Sequence, residues 1–67
     1  MRVYVVMSGE NGQGGVIEGV FETHDGASER VTAFIQENSY MGHWTWVYRD
    51  RWDCDGDWLT IIERVVL

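Results

Sequence analysis

Asp55-Gly56 stands between two runs rich in aromatic and β-branched residues, His43 to Asp53 and Trp58 to Leu67, and it constrains the fold more tightly than any other feature. An Asp-Gly pair between such runs is a strong hairpin signal, because a type I′ turn needs positive φ at both central residues. Whether Asp55-Gly56 is a two-residue loop or Cys54 to Asp57 a four-residue one, the register is the same: Asp53 opposes Trp58, Trp52 opposes Leu59 and Arg51 opposes Thr60. Continued along both runs, that register predicts one face carrying Trp44, Trp46, Tyr48, Asp50 and Trp52 opposite Leu67, Val65, Glu63, Ile61 and Leu59. The other face carries Thr45, Val47, Arg49, Arg51 and Asp53 opposite Val66, Arg64, Ile62, Thr60 and Trp58. A one-residue slip would set Trp46 against Arg64 and mix apolar with charged positions, so the even loop is preferred.

The rest of the chain supplies the partners for this hairpin. Arg2 to Met7 is β-branched and aromatic, Ser8 to Gly15 holds four glycines in eight residues, and Val16 to Thr23 resumes an alternating strand. This predicts a first hairpin with a long, flexible tip. Ala27, Val31, Phe34 and Ile35 then recur at helical spacing, so a helix is expected from about His24 to Glu37, capped by Thr23 or Asp25 and ending near Asn38. The fold class is α+β: a four-stranded antiparallel or mixed sheet, ββαββ, with the helix packed on one face. Residues 1–67 form a single domain, and the strand order stays open.

Composition narrows what holds such a chain together. Sixty-seven residues allow one small core. With Cys54 as the single cysteine, no intrachain disulfide can form; this fits a reducing compartment, and a cytoplasmic location is expected. Four Trp, three Tyr and two Phe supply apolar mass instead. Trp44, Trp46 and Trp52 are therefore assigned to the core under the helix. The longest uncharged run, Asn38 to Tyr48, has eleven residues and cannot cross a bilayer, which takes ~20. The N-terminus offers five apolar or aromatic residues before Ser8, too few for a secretion signal. Eleven acidic residues against five Arg give a net charge of −6, which disfavours nucleic acid and anionic membranes as partners.

No enzymatic site is expected. Asp53, Asp55 and Asp57 alternate as calcium-loop ligands do, yet Arg64 stands where a twelfth-position Glu would be needed, so the segment reads as a polar turn. Cys54 with His24 and His43 makes a poor zinc set. Gly9 to Gly15 lacks the following Lys-Ser/Thr of a phosphate loop. The acids flanking Cys54 raise its thiol pKa and suppress the nucleophilic thiolate. No cofactor or metal is expected.

What remains is the outward face of the second hairpin. It gathers Arg49, Arg51 and Arg64, three of the five arginines, around Trp58 and Ile62, with Val47 and Val66 beside them. The first hairpin is expected to extend it through Tyr4, Val6, Val16 and Val20, with Glu18 and Glu22 on or beside the same face. Trp and Arg are enriched at interface hot spots, so Arg49, Arg51, Trp58, Ile62, Arg64, Tyr4, Glu18 and Glu22 are the expected partner-binding residues.

Val3-Tyr4-Val5-Val6, the Gly-rich tip, the segment Gly15 to Thr23 and the short helix resemble small ββα-type proteins of unknown function from phages and bacteria, over about the first half of the chain. In overall character the chain is similar to phage-encoded inhibitors of host defence, including anti-CRISPR proteins. That likeness implies a host enzyme or defence complex as partner, and the host cytoplasm as location. Three functions are carried forward: a protein-binding inhibitor whose acidic residues Glu10, Glu18, Glu22, Asp25, Glu29 and Glu37 occupy a basic channel; a homodimer or other homo-oligomer burying the outer face; and a single-stranded nucleic-acid binder using that face.

Overall fold

The structure, a computed structural model, describes residues 1–66. Strands β1 (Arg2–Glu10) and β2 (Gly15–Phe21) form the first hairpin, followed by helix α1 (His24–Glu37) and a 3₁₀ turn at Ser39–Met41. Strands β3 (Thr45–Tyr48), β4 (Arg51–Cys54) and β5 (Asp57–Val65) complete the chain. All neighbours are antiparallel, in the order β2-β1-β5-β4-β3, so the two terminal strands lie side by side near the middle. The chain is α+β with one helix, as expected, but the sheet has five strands in a ββαβββ order. No helix among the described residues is long and apolar enough to cross a membrane.

The extra strand comes from a break in the expected run His43 to Asp53. The chain reverses at Arg49-Asp50, with Arg49 at a φ of 33°, and Tyr48 pairs with Arg51. No local turn residue enforces this. The Asp50 carbonyl accepts from the Ile61 N–H and from Thr60 Oγ1, both at 2.9 Å, and its carboxylate Oδ1 lies 2.9 Å from His24 Nε2 at the start of α1. Trp46 Nε1 donates to the Arg49 carbonyl at 2.6 Å. Strand β3 therefore folds back on β4, and β1 takes the place beside β5 that the longer hairpin would have filled. Glu63 and Val65 pair with Tyr4 and Arg2, not with Tyr48 and Trp46, and the expected partner of Trp44, Leu67, lies outside the described residues.

Where β4 meets β5 the predicted register holds: Asp53 opposes Trp58, Trp52 opposes Leu59 and Arg51 opposes Thr60. Asp55 and Gly56 have φ of 46° and 92°, both positive as a type I′ turn requires. Helix α1 also matches its expected bounds. Thr23 is extended and its side chain accepts from the Gly26 N–H at 3.0 Å, while the Asn38 N–H closes the last turn on the Phe34 carbonyl.

The core sits between α1 and the sheet. Val6, Ala27, Val31, Trp44, Cys54, Leu59 and Ile61 are buried, with Tyr4, Phe21, Phe34, Ile35, Met41 and Trp52 packed against them. A helix ~10 Å across covers about two strand spacings of ~4.8 Å, and α1 rests on β1, β2 and β5. The far edge of the sheet is left open. Trp44, ahead of β3, tucks against Phe34 in an edge-to-face contact and is only 8% exposed, whereas Trp46 on the outermost strand is 59% exposed. The expected core role thus holds for Trp44, partly for Trp52, and fails for Trp46.

Candidate interaction surface

Alternation along β1 is fixed by Val6, which is fully buried beneath α1. Its neighbours Val3, Val5 and Met7 must then face away from the helix. In β2 the ladder slips between Val6 and Met7, leaving Glu18 as an extra residue without a partner strand position. Such a bulge resets the alternation, so Ile17, opposite Met7, and Val20, opposite Val5, both face outward. They are 63% and 57% exposed. Strand β5 contributes Trp58, Thr60, Ile62 and Arg64 to the same face, and β4 contributes Arg51 and Asp53. An uncovered sheet face results, with an apolar middle of Val5, Met7, Ile17, Val20 and Ile62.

Trp58 is built into this face rather than projecting from it. Its ring lies across Gly9 and Gly15, its neighbours on β1 and β2: a Cβ at Gly9 would sit 2.7 Å from Trp58 Cζ2, and one at Gly15 2.6 Å from Cη2. Both positions need glycine for this close approach, and neither belongs to a flexible tip, since only Asn11 to Gly14 lie outside the two strands. The indole Nε1 donates to the Glu10 carbonyl at 3.3 Å, and the Arg51 guanidinium lies over the ring, 5.7 Å from its centroid. Arg51 is itself fixed by Asp53, with Nε 3.2 Å from Oδ1.

The expected binding residues divide accordingly. Arg51, Trp58, Ile62 and Arg64 share the outer face. Arg49 is displaced to the exposed β3-β4 turn. Tyr4 lies on the helix side, its ring 5.7 Å from His24, and Val6 and Val16 are on that side too, because Val6 enters the core. Glu18 also turns to the helix side, where it accepts from Ser8 Oγ at 2.8 Å and pairs with Arg30 at 3.3 Å. Glu22 is exposed just beyond β2. Val3, Val5, Met7 and Ile17 were not anticipated; the signal for the first three was the odd-numbered half of β1, legible once Val6 is known to be core, whereas Ile17 depends on the bulge in β2.

With Glu18 gone, Asp53 is the one carboxylate within the strands on this face among the described residues, and Arg51 already engages it, while Glu22 stands just past the end of β2. An acidic chain thus carries one apolar face edged by Arg51 and Arg64. Cys54, the lone thiol, is buried in the core, where burial raises its pKa and the Asp55 and Asp57 carboxylates add to the effect. Comparison with protein-family models, with curated proteins and with solved structures finds no match.

Proposed function

We propose that this chain is a protein-binding module, not an enzyme, and that it docks its partner on the outer face of the sheet. The observation that carries this reading is the uncovered apolar surface of Val5, Met7, Ile17, Val20 and Ile62 beside Arg51, Arg64 and Trp58. Water-exposed apolar surface on one whole side of a small sheet is stabilised by covering it. Charge favours a different protein over a second copy. Two chains of net −6 repel, and Asp53, the carboxylate within the strands of a copy's face, is already held by Arg51. The matching surface is therefore apolar with an acidic rim. Inhibition of a host enzyme or defence complex, as in the phage inhibitors the chain is similar to, is one instance of this reading.

A single-stranded nucleic acid fits less well. A base stacking on Trp58 would have to displace Arg51 from over the ring, and the net charge opposes a polyanion.

Affinity capture from the native host tests the proposal with wild type, Ile62→Glu, and Glu29→Gln, on α1, as a variant altered away from the face. Retention of one protein by wild type and the Gln variant, with its loss from a folded Ile62→Glu, is the expected result. Undiminished retention by Ile62→Glu would move the interface elsewhere. Sedimentation at micromolar concentration should give a monomer; a dimer that Ile62→Glu dissociates would replace the foreign partner with a second copy.

A further inference from the structure

A cavity of about 270 Å³ opens on the helix side, at the end of the sheet where the Asn11–Gly14 and Asp55-Gly56 turns meet. It lies between the C-terminal part of α1 and the ends of β1 and β5. Phe34, Met41 and Trp44 form its apolar wall, with Phe34 and Trp44 edge to face at 5.6 Å and 80°. Three carboxylates line it, Glu10, Glu18 and Asp57, and no basic residue does.

These carboxylates are not equivalent. Glu18 already has a cation: Arg30 pairs with it at 3.3 Å, and the same guanidinium rests 5.9 Å from the centroid of the Phe34 ring. Glu10 and Asp57 stand directly opposite each other on β1 and β5, on the side of Ser8 and Leu59. Like charges at such a position destabilise the sheet, and among the described residues neither forms an ion pair. Beside the cavity, a ring and a carboxylate thus hold the chain's own guanidinium; the cavity itself repeats those ingredients at Glu10 and Asp57 with the negative charge uncompensated.

We propose that this cavity binds the head of an organic cation, a guanidinium or alkylammonium group, between the Trp44–Phe34 pair and the carboxylates of Glu10 and Asp57. Aromatic faces attract such cations through their quadrupoles, most strongly where water is partly excluded. The size agrees, since cavities for drug-sized ligands run ~300–1,000 Å³ and this one holds a side chain or small headgroup. A metal ion fits less well, because among the described residues no three His, Cys, Asp or Glu are grouped to hold one. The aromatic wall and the carboxylates are on the helix side, although Gly9 and Trp58 of the outer face also line the cavity; the two proposals are separated by their variants, Ile62→Glu for the docking face and Glu10→Gln/Asp57→Asn for the cavity.

The test is titration with N-acetyl-arginine amide and with tetramethylammonium at low salt, followed by ¹H–¹⁵N spectra, with N-acetyl-citrulline amide as the neutral isostere. Both cations should saturably shift the Trp44 indole, whose Nε1 donates to the Asn38 carbonyl at 3.5 Å, and the amides of Glu10 and Asp57. Citrulline should not. Glu10→Gln/Asp57→Asn should weaken binding about tenfold or more while melting no lower than wild type; Glu10→Gln alone serves if the double variant unfolds. Absence of shifts, equal shifts with citrulline, shifts centred on the exposed acids of α1, or undiminished binding by the folded variant would each overturn the assignment.

Discussion

Gly9→Ala probes the contact that shapes the outer face. The added methyl would lie 2.7 Å from Trp58 Cζ2 and 2.9 Å from Cε2, where carbon contacts settle at ~3.5–4.0 Å. The ring must rise by about 1 Å, and the 3.3 Å bond from its Nε1 to the Glu10 carbonyl is then lost. Overpacking costs ~1–3 kcal/mol and the hydrogen bond ~1 kcal/mol, against ~0.4–1 kcal/mol gained by restricting the unfolded chain. The net loss is about 2 kcal/mol, or a fall of roughly 8–16 °C in Tm for a domain of this size. Because Gly9 has no positive φ, the penalty comes from packing, chiefly against the ring, with a smaller part from the Gly15 Cα at 3.1 Å. A double-mutant cycle by thermal and denaturant melting isolates the ring's share: in a Trp58→Ala background, Gly9→Ala should lose most of its cost, leaving only the approach to Gly15 Cα. A coupling energy below about 0.5 kcal/mol would refute the packing argument.

Gly56→Ala should cost about 1–2 kcal/mol through its φ of 92° alone, since nothing lies within 4 Å of the added Cβ; D-Ala at the same position, introduced by chemical synthesis, should restore stability. Trp44→Ala should destabilise by ~3–5 kcal/mol, and Trp46→Ala by about 1 kcal/mol for its bond to the Arg49 carbonyl; equal losses in denaturant melts would contradict the assignment of only the first to the core. The raised pKa of Cys54 means that the unfolded chain releases the thiol proton first as pH rises. Its stabilising contribution is thus complete below the ordinary value of 9.0 and lost above it. Melting at pH 7 and pH 10 should show a larger fall for wild type than for Cys54→Ala, and an equal fall would count against the buried thiol.

Local signals carried much of this fold. The Thr23 cap and the spacing of Ala27, Val31, Phe34 and Ile35 define α1 because helix ends and helix faces are set by residues close in sequence. Asp55-Gly56 sets the β4-β5 register for the same reason. The rest depends on distant contacts. Arg49-Asp50 has no turn signature, and its reversal is held by Ile61, Thr60 and His24. The bulge at Glu18 follows from its capture by Ser8 and Arg30, ten and twelve residues away, and it reassigns Ile17 to the outer face. The alternation of β1 reads equally well either way until Val6 meets the helix. Half of the expected binding set, Arg51, Trp58, Ile62 and Arg64, kept its place because it lies along the one hairpin whose turn is locally encoded, while Arg49 was lost at the unforeseen break.

Methyl cross-saturation in the complex with the captured partner tests the docking face most directly. Saturating the partner's protons should attenuate the methyls of Val5, Ile17, Val20 and Ile62 and spare Ala27, Val31 and Leu59 on the helix side. Attenuation confined to the helix side, with the outer-face methyls at full intensity, would contradict the assignment of this sheet face as the binding surface.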